Sequence, residues 1–392
     1  MSDEIAAVPA LFEGGPPHKF ETWLGLIRAG HPNVWRRALL AVAVGWLPLA
    51  LLSALHGDFF LRSDAANSFI LDFGAHARFL IAAPLLILAE PICVPLLTAI
   101  GRQFLAAGLV VGPDRARYDR AVDSTRRLIN STAAEIVTVV LAYAIITALF
   151  MAHPGVSLPR WHGTVIEGAI ALTPAGWWGL LVSLPLLLLL VLGWLWRLCM
   201  WTRFLWFMSR MQLRLIPSHP DRAAGLRFVG RSLEAFLPLG LTIGVMAAGP
   251  ALNQVVHEGV SPLKFKFLIV GVAAFSAALF VGPLLVFAGR LIGEQRRGMF
   301  EYGSLAVRLG EQLERKWLMR RPVDKSALEV PDFSATTDLN SIAANVYQVQ
   351  IAPIELRSLV LLMGATVLPF VPMALAAVPP SEIVRKIAGL LL

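Results

Sequence analysis

Apolar runs long enough to cross a bilayer recur along the whole chain, and nothing else in the sequence constrains the fold as tightly. They fall at about 36–56, 79–101, 132–152, 176–196, 234–255, 267–289 and 358–378. Each reaches the ~20 residues that a helix needs to cover ~30 Å of hydrocarbon. Lipid offers no partner for backbone N–H and C=O groups, so each run must satisfy them internally as a helix. The expected fold is all-α, a polytopic transmembrane bundle of seven spans. Composition agrees, with 57% hydrophobic and 15% charged residues against about 25% charged in a soluble domain. A soluble enzyme carrying one anchor is excluded.

Orientation follows from the basic residues, which stay on the cytoplasmic side of a membrane. The segments after spans two, four and six are rich in arginine, including Arg115, Arg117, Arg120, Arg126 and Arg127, then Arg203, Arg210, Arg214, Arg222, Arg227 and Arg231, then Arg290, Arg296, Arg297 and Arg308. The segments after spans one, three and five hold only Arg62 and Arg78, Arg160, and Lys264 and Lys266. This alternation predicts a cytoplasmic N-terminus, an outer C-terminus and an odd number of spans. It also explains the net charge of +8 without nucleic acid. Residues 1–35 contain Asp3, Glu4, Glu13 and Glu21 and no short apolar run ending in small residues, so they read as a retained cytoplasmic arm and not as a cleavable signal.

The expected organisation is an arm over 1–35, a six-span membrane domain over 36–289, a helical cytoplasmic segment over 290–357, and a seventh span with a short outer tail over 358–392. In the cytoplasmic segment Leu291, Phe300, Leu305, Leu309 and Leu313 keep helical spacing, so span six is expected to run on into a small helical cap. Three spans of the same direction carry Pro84-Leu85-Leu86, Pro185-Leu186-Leu187 and Pro283-Leu284-Leu285. They suggest repeated helical hairpins in parallel, with chance as the competing explanation, since Pro95-Leu96-Leu97 is a further copy out of phase. Cys93 and Cys199 lie in apolar segments without paired spacing and read as core residues.

Glu90 is the acidic residue nearest the centre of a predicted span, with Pro91 and Pro95 beside it. A carboxyl at that depth must be paired, protonated or in a polar cavity. It is either a proton or cation site beside a broken helix, or a structural Glu donating to a carbonyl that a proline has freed. Arg203 and Arg210, among the aromatic residues from Trp194 to Phe207, sit at headgroup level, where an aromatic belt or anionic-lipid binding accounts for them. His219, Asp221 and Arg222 follow Pro217 in a basic loop. They either start a helix at Pro220 or bind a phosphate or headgroup. Five histidines, His56, His76, His153, His162 and His257, fall on the outer side. Scattered surface histidines are the favoured reading over a metal site, since no pair has ligand spacing. No nucleotide loop, zinc motif or nucleophile elbow occurs, so no cofactor is expected and an enzyme is the less favoured reading.

Several blocks together, LLSALHG, DFGAHARFLIAAPLLILAE, RFLWFMSRMQLRLIPSHPDRAAGLRFVG, GPLLVFA and RRGMFEYGSLA, resemble a family of bacterial polytopic inner-membrane proteins with an HPDxAGGL-type cytoplasmic loop. The resemblance runs from about residue 45 to the tail and implies a bacterial inner membrane. The chain departs from that pattern at Ala224, where glycine is usual, and around Asn340 to Tyr347. The leading functional expectation is transport or gating of a small solute or ion, with Glu90 as its centre. The rivals are a scaffold or sensor that binds a cytosolic partner or anionic lipid, and a lipid-modifying enzyme using the outer histidines and the acidic residues on their side, Asp58, Asp64, Asp72, Glu167 and Glu258. The bilayer is the expected partner, with self-association into a homo-oligomer compatible with the pattern.

Overall fold

The computed structural model describes residues 11–17, 21–22, 25–26, 33–61, 65–152, 159–166, 169–318 and 332–376. His153 and the expected outer tail lie outside them. Among the described residues seven helices are long and apolar enough to cross a membrane: span 1 Val34–His56, span 2 Phe73–Ala106, span 3 Thr132–Ala152, span 4 Pro174–Arg210, span 5 Leu237–Glu258, span 6 Pro262–Leu318 and span 7 Leu356–Ala376. Their outward side chains are large and apolar, among them Leu55, Val140, Phe267 and Val270. On a water-soluble protein so much exposed apolar surface would be a liability; here it is the lipid-facing belt of a multi-pass membrane protein.

Span 6 contains 57 residues, about 85 Å at ~1.5 Å per residue, nearly three times the hydrocarbon thickness. Its second part, Ala288–Leu313, is the amphipathic helix expected beyond the bilayer. Residues Asp332–Tyr347 form a helix packed on it. The arginine-rich stretch between spans 2 and 3, expected as a loop, is a helix over Arg115–Ile129. One of its faces buries Tyr118, Val122, Thr125 and Ile129, while Arg120 and Arg127 stay exposed.

The segments between spans collect on two opposite faces. After spans 2 and 4 the chain pairs at Val110 and Leu213, and Arg290, in the second part of span 6, donates to Ser209 O at 2.9 Å and Met211 O at 2.7 Å; this is the arginine face. On the other, the histidine face, the Phe73 N–H donates to Asn253 Oδ1 at 2.8 Å, and Trp161 Nε1 donates to Asp72 Oδ2 at 3.1 Å. The connection after span 3 closes as a short antiparallel pair, Gly163–Ile166 against Ala169–Leu172.

Two of the three Pro-Leu-Leu copies share a local design. Asp72 caps the start of span 2 by accepting from Ala75 N, and Thr173 caps span 4 by accepting from Gly176 N. Each cap is followed by one α-turn, then a π-helical segment, Ala77–Ala82 or Gly179–Ser183, and then the proline at the head of the next α-segment. A π-turn widens the ladder where the proline ring would meet the carbonyl one turn back. The third copy, Pro283, instead heads a 3₁₀ stretch, Gly282–Phe287.

Other broken backbone is re-satisfied across helices. Span 2 kinks at Ala89, between α-segments ending at Leu88 and starting at Glu90, and Trp194 Nε1 of span 4 donates to Leu86 O at 2.8 Å. Cys93 Sγ donates to Ala235 O at 2.7 Å, just before the Pro238 turn. Cys93 is buried as expected, whereas Cys199 is exposed on the outer surface of span 4. Spans 5 and 7 approach closely through Gly240 and Gly244. A Cβ on Gly240 would lie 2.8 Å from Leu362 Cδ1, and one on Gly244 would meet the Thr366 carbonyl. Small residues four apart are the usual means of bringing membrane helices together.

Candidate functional site

Glu90 lies midway along span 2 and is held by arginines. Arg37 of span 1 donates through Nη1 to Glu90 Oε2 at 2.8 Å, and Arg197 Nη2 of span 4 is 4.0 Å from Oε1. Arg37 Nη2 is also 2.6 Å from Glu21 Oε2. Two carboxylates and two guanidiniums thus form one buried chain through three spans and the N-terminal segment. Glu90 accepts a hydrogen bond here; the alternative in which it donates to a proline-freed carbonyl is not what the geometry shows. Burial pushes the Glu21 carboxyl up from its ordinary value, and the Arg37 guanidinium opposes that shift.

The N-terminal segment that brings Glu21 here is not a solvated arm. Leu11 and Phe12 are fully buried; Leu11 N donates to Thr98 Oγ1 at 3.2 Å, and the Phe12 ring meets Trp201 edge-on with centroids 5.4 Å apart. Arg197 Nε donates to Gly14 O at 3.0 Å. Gly14 and Gly15 take φ of +95° and +89°, a left-handed turn that glycine adopts without strain. Sequence reasoning missed this insertion, although a Leu-Phe pair followed by Gly-Gly-Pro-Pro reads as an apolar anchor on a sharp turn.

On the arginine face Arg117, Arg120, Ser124, Phe207 and Arg210 line a cavity of about 450 Å³. Arg203 adjoins it, with Nη2 donating to Ser124 Oγ at 2.6 Å and its guanidinium 4.6 Å from the Phe207 ring centre. Arg203 Nη1 is buried and finds no hydrogen-bond partner among the described residues. Arg210 stacks over Trp206 at 5.2 Å. Arg117 is partly neutralised by Asp114 at 3.0 Å. Arg203 and Arg210 were expected at headgroup level; the structure places Arg210 in the wall of this cavity and Arg203 beside it. Arg117, Arg120 and Ser124 were missed, although spacings of three and four place them on one face of a helix.

His219, Asp221 and Arg222 do not join that cavity, and Pro220 starts no helix. Asp221 organises its own loop: Oδ1 accepts from Ala223 N at 2.9 Å and Gly225 N at 3.1 Å, and Oδ2 from Arg227 N at 3.1 Å. His219 Nδ1 is 2.9 Å from Oδ1. Arg222 and Ala224 take φ of 56° and 52°, left-handed conformations that favour glycine. The Arg222 carbonyl accepts from Gln350 N at 2.8 Å, joining the loop to the segment before span 7. Partial burial works against ionisation of Asp221, but the three backbone N–H groups and His219 outweigh it and hold the carboxyl below its usual range. A depressed carboxylate contributes stability above its unfolded value and loses it as pH falls through the folded one. Asp221→Ala is expected to lower stability by about 2–4 kcal/mol at pH 7, with three donors left unmet. The difference from wild type should shrink below about pH 4, as read from urea melts in detergent.

Among the described residues the histidine face gathers no ligand set. His56 Nδ1 pairs with Asp58 Oδ2 at 2.7 Å, Trp46 Nε1 donates to His76 Nδ1 at 2.9 Å, and His257 Nε2 bonds Leu71 O at 2.9 Å. His162 lies apart against Trp161. Among the described residues no three His, Cys, Asp or Glu side chains are placed to hold a metal. No family model, curated protein or solved structure matches the chain.

Proposed function

We propose that this multi-pass membrane protein binds the phosphate headgroup of an anionic lipid in the arginine cavity, as a sensor or scaffold at the cytoplasmic surface of a bacterial inner membrane. The observation that carries the reading is the lining of one cavity by Arg117, Arg120 and Arg210, with Arg203 adjoining it through Ser124. Arginine forks suit phosphate oxygens, and each basic group near an anionic leaflet is worth about 1 kcal/mol. Losing two of them in Arg120→Gln/Arg210→Gln is expected to weaken phosphatidylglycerol retention by roughly thirtyfold. Lys264→Gln/Lys266→Gln, on the other face, should leave it unchanged. Native mass spectrometry with phosphatidylethanolamine as the control lipid reads the difference, and equal retention by both variants would remove the site. Cysteine labelling from outside intact cells should reach position 263 and not position 115.

A second reading, gating of a small solute or ion, is supported by the charge chain through Glu90, since ionisable groups inside spans mark ion and proton pathways in membrane proteins. Glu90→Gln keeps the shape of the side chain and removes its charge. If Glu90 carries flux, the variant should fold and lose pH-dependent flux in liposomes; unchanged flux would dismiss this reading.

A further inference from the structure

A second cavity of about 450 Å³ lies between spans 1 to 5 toward the histidine face, a volume typical of ligand pockets, which run from ~300 to ~1,000 Å³. Its wall is almost wholly apolar, built by Phe79, Ile146, Leu184 and Leu188 among others, and one end carries Arg78, Asp72 and His162. Neither of the two groups near Arg78 pairs with it directly: Asp72, though an anion nearby, engages neutral donors with its oxygens, and His162 is neutral. Asp72 accepts from Ala75 N at 2.9 Å, Asn253 Nδ2 at 2.9 Å and Trp161 Nε1 at 3.1 Å. Burial, with Arg78 nearby, pushes the His162 imidazole down to about 4, so it is neutral at physiological pH, and its buried Nδ1 finds no hydrogen-bond partner among the described residues. Arg78 itself donates through Nε to Gly74 O at 2.9 Å and interacts with Asp72 electrostatically, without a direct ion pair among the described residues. Its two terminal nitrogens are left to a ligand.

Both π-helical segments face this cavity. Arg78 and Phe79 belong to Ala77–Ala82, and Gly179 and Leu180 to Gly179–Ser183. π-turns are frequent at functional sites because they displace side chains from the regular helical rows. Leu149 and Phe150 of span 3 line the cavity and are exposed on the lipid-facing surface, so hydrocarbon can enter sideways from the bilayer. A small hydrophilic anion would leave the apolar wall unused, and a neutral hydrocarbon would leave Arg78 unmatched.

We infer that this cavity binds an amphiphilic anion, its carboxylate or phosphate monoester on Arg78 and His162 and its hydrocarbon chain along Phe79, Ile146, Leu184 and Leu188. The site is separate from the arginine cavity on the opposite face and stands or falls independently of it. Carboxylate and phosphate share the planar, bidentate match to guanidinium, and the probes distinguish them.

The full chain, delipidated in a neutral detergent, is titrated with oleate, oleoyl lysophosphatidic acid, oleyl alcohol and acetate, with bound molecules counted by native mass spectrometry. One equivalent of oleate or of the lysophosphatidic acid is expected to bind at least tenfold more tightly than oleyl alcohol or acetate. Arg78→Gln should lose at least tenfold for the anions and leave oleyl alcohol unchanged, and Leu188→Trp, which fills the cavity, should lose all three amphiphiles. Arg120→Gln/Arg210→Gln should bind them as wild type does. Oleyl alcohol binding as tightly as both anions would overturn the proposal, as would undiminished anion binding in folded Arg78→Gln. Where Arg78→Gln does not fold, Leu188→Trp decides: retention of the anions at wild-type affinity overturns the site.

Discussion

Arg37→Met is expected to destabilise the protein by about 3–5 kcal/mol, the usual cost of removing one partner from a buried ion pair. The arginine side chain is 3% exposed and is the link between Glu21 and Glu90, so its loss leaves two carboxylates with Arg197, 4.0 Å from Glu90, as the nearest compensation. The penalty is therefore desolvated, unpaired negative charge more than a lost bond. Neutralising both acids in Arg37→Met/Glu21→Gln/Glu90→Gln should recover most of it, because replacing a whole buried ion group with neutral side chains of similar size is often tolerated. Thermal melts of the three proteins in one detergent provide the comparison. Equal melting temperatures for wild type and Arg37→Met would show that the charge chain adds nothing to stability.

The second large effect belongs to the seam between spans 5 and 7. Gly244→Leu places a side chain where the Thr366 carbonyl already lies, and backbone cannot turn aside as a rotamer can. Overpacking costs about 1–3 kcal/mol in ordinary cores, and this substitution should reach or exceed the upper end. Its control is Gly271→Leu in span 6, where nothing lies within 4 Å of the added Cβ. There the better helix propensity of leucine should yield a gain of up to about 1 kcal/mol. A disulfide between cysteines placed at facing positions of spans 5 and 7 should form in wild type and fail in Gly244→Leu. Similar melting temperatures for the two leucine variants would mean that the seam is not close-packed.

The seven spans were legible because the requirement behind them is one-dimensional: a run of apolar residues of sufficient length has one solution in lipid. The boundaries were less so. Span 4 keeps its helix to Arg210, fourteen residues past the expected end at 196, because aromatic and arginine side chains serve equally well inside a helix at headgroup level. The site residues divide in the same way. Glu90 stands out in sequence as a charge in the wrong solvent, but its partner Arg37 lies 53 positions away at the start of another span, where it looks like an ordinary flanking arginine. His219 and Asp221 invite a ligand reading because their neighbours are basic; the folded loop turns Asp221 onto its own backbone, a local geometry set by left-handed residues that no periodicity announces. Arg78 carried no signal at all until two π-turns placed it beside a cavity.

The buried position of the N-terminal segment has a consequence for how the chain is made. Leu11, Phe12 and Gly14 rest on Thr98 of span 2 and on Arg197 and Trp201 of span 4, so their seat is incomplete until ribosomes have passed residue 201. At about 5–20 residues per second that is a wait of roughly 10–40 s, during which Leu11, Phe12 and Gly14 stay undocked. The segment before span 1 is thus docked later than the span it precedes, and it locks spans 1, 2 and 4 only after the fourth has entered the bilayer.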